Sequence, residues 1–347
     1  MGTVAVPGVC CARSDRAHAP QMRHEQSSDN GSWLGRTTEE RLLLGDDLSP
    51  SSPTGNTSGG ACWSKGDASC FQVRCGPDYL STGNKETSAP ALYECISVDI
   101  VRSGCIVGQV LDRLVAPPAT ADVGWRQGCS LPRVICVVTM LPYECEWAGK
   151  DPTTDFDAAS DDPGCSVVAV FTITAAALEL LAAEPEPASV RLLRNFVARG
   201  SGPCCWDATK SSTGVMKAIA IGENLERAGI PTLFWPLIMR YNATPALLTK
   251  SSRVYKDPAG EWLELDVDLR VWCYAARSAL YNLRDCLPAA TLHVGFVVQG
   301  CTDQELPEVV VGAVRIHGLD ILRSPVTVRD PNGEKKPERN GARMEGG

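Results

Sequence analysis

Alternation is strictest over Trp262–Val271. Leu263, Leu265, Val267, Leu269 and Val271 fall on one face, and Trp262, Glu264, Asp266, Asp268 and Arg270 on the other. This predicts a strand buried on one side, each apolar side chain contributing on the order of 1.5–3 kcal/mol before the entropy of ordering it. Asp257-Pro258-Ala259-Gly260 just upstream reads as a turn. The preceding LLTKSSRVYK therefore pairs back as a hairpin, with Arg253 facing Glu264, Val254 facing Leu263 and Tyr255 facing Trp262.

Two β-branched runs, Arg133–Met140 and Cys165–Thr174, are long and apolar enough for central strands. TLHVGFVV, from Thr291, is apolar on both faces and reads as a third. Helical spacing is clear after Pro187, where Val190, Leu193 and Val197, with Leu192 and Phe196 alongside, form one stripe that Gly200 closes. A second helix spans Trp272–Leu287 and stops at Pro288. Pro307 is placed to open a last helix through Ile316, and the run Val309–Val311 makes a strand the alternative there. The segment Ser166–Ala183 is apolar but changes midway from β-branched to Ala/Leu and carries Glu179, so it reads as a strand entering a helix, not a membrane span.

Antiparallel hairpins separated by helices make the fold class α+β: one large domain, mainly antiparallel sheet with packed helices, over residues 61–323. Residues 1–60 and 324–347 are rich in Ser, Gly, Pro and charge, and read as a disordered N-terminal arm and C-terminal tail. No basic and apolar leader is visible, and Val6 stands where a myristoylation motif wants Ser or Thr. The connection 144–164 is strongly acidic and lacks the Gly and terminal Glu of a calcium loop, so it reads as a solvated loop.

Lys plus Arg number 33 against 41 for Asp plus Glu, a net charge of −8. Non-specific nucleic-acid binding needs the opposite balance, so no nucleic-acid partner is expected. The 16 Cys are scattered, contain no C-x-x-C, and several sit inside apolar runs, as Cys136 does in VICVV. Reduced, buried thiols in a cytoplasmic protein fit that usage. Phosphate loops, nucleophile elbows and zinc motifs are all missing from the sequence, which calls for no cofactor and no metal. His293, in a central strand, reads as a core histidine. Glu264, Asp266 and Asp268 place three carboxylates on one strand face. The reading taken is an outward polar face balanced by Arg253 and Arg270, the alternative a metal or acid–base site.

Four motifs in order carry a resemblance. Trp63 is followed by FQVRCGPDYL, with Phe71, Val73, Arg74, Gly76, Tyr79 and Leu80, and then Lys85. YECISVDIVRS supplies Tyr93, Glu94, Val98, Asp99 and Ser103. Pro245–Leu248 leads through the hairpin to EWLELDVDL, and GFVVQGCTDQELPEVVVGAVRIHGLD completes the set. Over Trp63–Asp320 the chain resembles the C-terminal domain of the plant protein enhanced disease resistance 2, a family found also in protists. The resemblance implies a regulatory role near membranes, since plant relatives join this domain to pleckstrin-homology and START domains and resemble phosphoinositide-responsive regulators. The polar residues upstream leave no room for either partner domain. It brings no catalytic residues.

The leading expectation is thus a non-enzymatic lipid- or phosphoinositide-binding regulatory domain, peripheral at membranes and not transmembrane. Its candidate contacts are Arg74, Tyr79 and Lys85. The structural alternative for these has Arg74 pairing Asp99 and Tyr79 packing inward. The other function classes are an enzyme using Glu264, Asp266 and Asp268 or Glu305 and Glu308, and a protein-interaction module using an acidic surface.

Overall fold

The computed structural model describes residues 49–50, 62–103, 108–114, 118, 120–141, 164–199, 202–203, 215–249, 251–321 and 326–327. The expectations for most of the arm and tail and for the acidic connection lie outside the described residues.

The strands are, in chain order, β1 (Ser49–Pro50), β2 (Cys62–Lys65), β3 (Gln72–Arg74), β4 (Lys85–Thr87), β5 (Tyr93–Ser103), β6 (Val134–Leu141), β7 (Gly164–Ile173), β8 (Gly202–Pro203), β9 (Val215–Glu223), β10 (Ala246–Leu247), β11 (Ser252–Lys256), β12 (Trp262–Asp268), β13 (Thr291–Gln299), β14 (Val310–His317) and β15 (Val326–Thr327). The α-helices are α1 (Tyr79–Thr82), α2 (Val110–Arg113), α3 (Ala175–Leu181), α4 (Ala188–Ala198), α5 (Trp235–Tyr241) and α6 (Tyr274–Leu283). All strands but β3 and β4 join one sheet, whose main path runs β10-β9-β13-β14-β5-β7-β6-β12-β11-β8. Most neighbours are antiparallel; β12 runs parallel to β6 and β14 to β5, while short β1 and β15 lie parallel to β2 and β5. The fold is α+β, as the sequence predicts.

The strong β-branched runs form the middle of the sheet because every residue along them finds packing. On one face Ile135, Val137, Phe171, Leu263, Leu265, Phe296 and Val298 belong to a continuous core. Helix α4 adds Val190, Leu192, Leu193, Phe196 and Val197, the stripe read from the sequence. Phe171 and Phe296 meet edge to face at 6.1 Å between ring centres. The alternate residues point to the other face, where two smaller clusters form. Val134, Cys136, Val138, Val168 and Val170 pack with Val110 and Leu111, and Ile219, Val297 and Ala313 pack with Phe71 and Val73.

Four expectations are corrected. The β11–β12 hairpin is shifted by two residues: Arg253 pairs with Asp266, Val254 with Leu265 and Tyr255 with Glu264. Asp257 N–H donates to Trp262 C=O, so Glu261 joins the loop and the ladder starts later. An even shift keeps every side chain on its face. The strand also ends at Asp268, whose side chain accepts from Arg270 N–H and turns Leu269–Val271 into a 3-10 turn. The expected helix 272–287 is α6 followed by a 3-10 stretch, Arg284–Ala289, that contains Pro288. Pro307 opens no helix; the β-branched run behind it forms β14, the alternative reading.

The largest correction concerns the polar face of β12. Glu264 is fully buried and Asp266 and Asp268 nearly so. The segment 108–114 covers Glu264 and Asp266, and Gly108 makes this approach feasible, because a Cβ there would lie 2.4 Å from Asp266 Oδ2.

Candidate functional site

Strands β3 and β4 form a separate two-stranded hairpin lying over the second face of the sheet, anchored by Phe71 and Val73. Its register sets Arg74 opposite Lys85. Between them Asp78, with a left-handed φ of 60°, starts the single turn α1. That turn brings the Tyr79 ring beneath the Arg74 guanidinium, 4.9 Å from its centre. The three residues singled out from sequence therefore meet. Residues 80–87 are exposed throughout, and Leu80 at the apex is 89% exposed.

Arg74 does not pair with Asp99, which stands on β5 opposite Val168. Its Nε donates to Glu308 Oε1 at 2.8 Å, its Nη2 donates to the same oxygen at 2.6 Å, and Nη2 also reaches Gly300 C=O. Lys217 Nζ, on β9, donates to Glu308 Oε2 at 2.5 Å. Gly300 N–H completes the shell of the carboxylate at 3.0 Å, and Glu308 N–H donates to Arg74 C=O. Glu308 is thus a buried carboxylate shared by two cations. Burial pushes the Lys217 ammonium down to about 8, against the opposing pull of Glu308. Lys85 adds a third positive charge, and its ammonium has no partner among the described residues. Lys217 was missed in the sequence because a lone Lys within an apolar strand pattern does not announce a partner 91 residues away.

The carboxylates of the enzyme alternative are all engaged in the fold. Glu264 accepts Val110 N–H at 2.7 Å and Leu111 N–H at 2.8 Å, and Asp266 accepts Gln109 N–H at 3.1 Å. Burial raises the Glu264 carboxyl above the usual range, while a hydrogen bond with Asp266 and the two N–H groups pull the other way. Asp268 is paired with Arg270 at 2.8 Å. Glu305 closes a capping box, accepting Cys301 and Thr302 N–H. An open cavity of about 470 Å³ lies nearby, lined by Leu111, Leu114, Pro118, Val134 and Trp262 with Arg133 and Glu261; Glu264 and Asp266 do not line it.

Buried His293 is a core residue, its Nε2 3.3 Å from Glu223 Oε1. Arg315, which can only donate, contacts His317 Nε2 at 3.3 Å, so the neutral ring carries its proton on Nδ1 and donates to Thr291 Oγ1 at 3.1 Å. His317 in that tautomer is not a base for Thr291. Among the described residues no group of three metal ligands converges, and no helix is long and apolar enough to cross a membrane.

These features define an α+β domain built on one large mixed sheet, with a two-stranded hairpin pinned over one face by a shared carboxylate. Residues 63–320 match the family described as Protein ENHANCED DISEASE RESISTANCE 2, C-terminal, and the chain belongs to that family. No curated protein and no solved structure matches it.

Proposed function

We propose that the domain is a non-enzymatic regulatory module that binds anionic lipid headgroups peripherally at the β3–β4 hairpin. One observation carries this reading: Arg74, Lys217 and Lys85 gather near the buried Glu308 carboxylate in a hairpin that exposes Leu80, although Asp78 and Glu86 leave the hairpin itself without net charge. Arg74 and Lys217 are spent on Glu308, so their part is to shape the hairpin and hold Lys85 in place. Lys85 is the free cation that meets the phosphate, as a point charge. Tyr79 and Leu80 supply apolar contact at the headgroup level. Each surface cation contributes only about 1 kcal/mol toward an anionic membrane, so a local cluster and not bulk charge must provide the affinity.

The test is co-sedimentation of the full chain with vesicles of equal total charge, one set containing phosphatidylserine and the other a phosphoinositide. The phosphoinositide set is expected to bind more protein, and Lys85→Ala to remove the preference while leaving the unfolding midpoint unchanged. Equal binding to both sets, or an unaffected Lys85→Ala variant, refutes it. A chain that ignores every vesicle and carries no co-purified lipid in native mass spectrometry returns the argument to the protein-interaction class.

A further inference from the structure

The segment 231–241, PTLFWPLIMRY, joins β9 to β10. Thr232–Phe234 forms a 3-10 turn that runs directly into α5, and neither element contains a single buried residue. Leu233 is 83% and Met239 64% exposed, while Phe234, Trp235, Leu237 and Ile238 are mostly but not fully covered. None of these side chains joins any of the three hydrophobic cores. The contrast with α4, which buries five apolar residues, is complete. The base of the segment is nonetheless firmly held. Asn242 Oδ1 accepts Gly222 N–H at 2.7 Å, and Ala243 N–H donates to Ala220 C=O at 2.8 Å. An apolar helix is being presented from a fixed edge, not packed away.

The charge around it selects the occupant. From Arg227 to Lys250 the chain has three cations and no Asp or Glu, although acids outnumber bases overall. Arg227 and Arg240 are exposed at either end of the apolar run, and Arg240 stacks on Tyr241 at 5.7 Å. A second copy of this chain would bring only Glu226, beside Arg227, to answer these arginines, and nothing acidic within the apolar run itself. An anionic bilayer answers both requirements: phosphates for the flanking arginines, and an interfacial zone suited to Phe, Trp and Tyr. Leu247, 45% exposed, lies opposite Lys217 in the β10–β9 register, so the apolar surface continues toward the hairpin locus.

We infer that Thr232–Tyr241 is a bilayer-inserting element that lies in the membrane interface with Leu233, Trp235 and Met239 among the acyl chains, an inference resting on the peripheral-membrane reading above. It assigns apolar anchorage to α5 and headgroup preference to Lys85.

The experiment compares the full chain with Leu233→Glu/Met239→Glu and with Lys85→Ala on vesicles of phosphatidylcholine and phosphatidylserine, with and without a phosphoinositide. Both glutamates replace exposed side chains, so far-UV circular dichroism and the unfolding midpoint should match wild type. Vesicle binding is expected to fall at least tenfold in the double variant. Brominated phosphatidylcholine should quench wild-type tryptophan fluorescence, and Trp235→Phe should remove that quenching. Binding that depends on Lys85 but is untouched by the double variant, with no quenching assignable to Trp235, overturns the insertion while leaving the headgroup reading standing. Binding lost in the double variant but indifferent to phosphoinositide and to Lys85 supports the insertion and refutes the headgroup assignment alone. A wild-type dimer in sedimentation that the double variant converts to monomer, without vesicle binding, overturns it in favour of a second copy.

Discussion

Glu308 sets the energetics of the hairpin. Its two oxygens are divided between Arg74 and Lys217, so neutralising it leaves two cations facing each other in a dry site. Glu308→Gln is expected to cost about 3–5 kcal/mol, the usual penalty for breaking a buried pair from one side, read as a drop in the urea midpoint. Lys217 gives a pH signature of definite sign. Its ammonium loses its proton near 8 in the fold and near 10.5 when unfolded, so between those values the unfolded chain binds more protons and stability rises with pH. Wild type should therefore gain stability relative to Lys217→Met on going from pH 8 to pH 10, and a flat difference between the two would contradict the assignment. Arg74, Tyr79 and Lys85 were legible because one short motif holds all three. Glu308 and Lys217 were not legible as their partners, since what joins them is strand order across the sheet. The carboxylates of β12 misled for a related reason: alternation distinguishes two faces and does not say that both are covered.

At the level of elements, runs with β-branched residues on both faces became central strands, and the periodicity of α4 became its buried stripe. Errors gathered where one residue type serves two structures. Pro307 is as acceptable before a strand as at a helix start, and a Pro-Gly turn defines a hairpin without counting how many residues its loop absorbs. The segment 231–241 left a readable trace, an apolar run inside an acid-free stretch, but periodicity alone does not say whether such a run is packed or exposed. The pairing of β2 with β14 continues into close backbone approach at Gly66. A Cβ on Gly66 would meet Ala313 backbone atoms at 2.5 Å, where no flexible side chain can yield. Gly66→Ala should lower stability by roughly 1–3 kcal/mol, as overpacking does, in a chemical-denaturation comparison with wild type. An unchanged midpoint would mean that β2 is not seated there.

Across the whole molecule, charge is unevenly spread: a net −8 chain keeps residues 227–250, which hold the unpacked α5, free of Asp and Glu. Screening shortens the reach of exposed charges to about 3 Å at 1 M salt. Binding to anionic vesicles should accordingly weaken between low and high salt yet not vanish, because the apolar contribution of α5 is unscreened. Complete loss at high salt would leave the helix without a role in adhesion. The ends of the sheet carry a different consequence. Among the described residues it stops on one side at β8, two residues long, whose Pro203 offers no N–H to any neighbour. On the other, β9 is met by the two residues of β10, and Ala243 and Leu248 N–H take up the carbonyls of Ala220 and Met216. A hydrogen-bond lattice this wide is an invitation to polymerise, one molecule templating the next along an open margin. Here both margins are blunted, so the protein can present a greasy helix to its surroundings without offering a strand for copies of itself to extend.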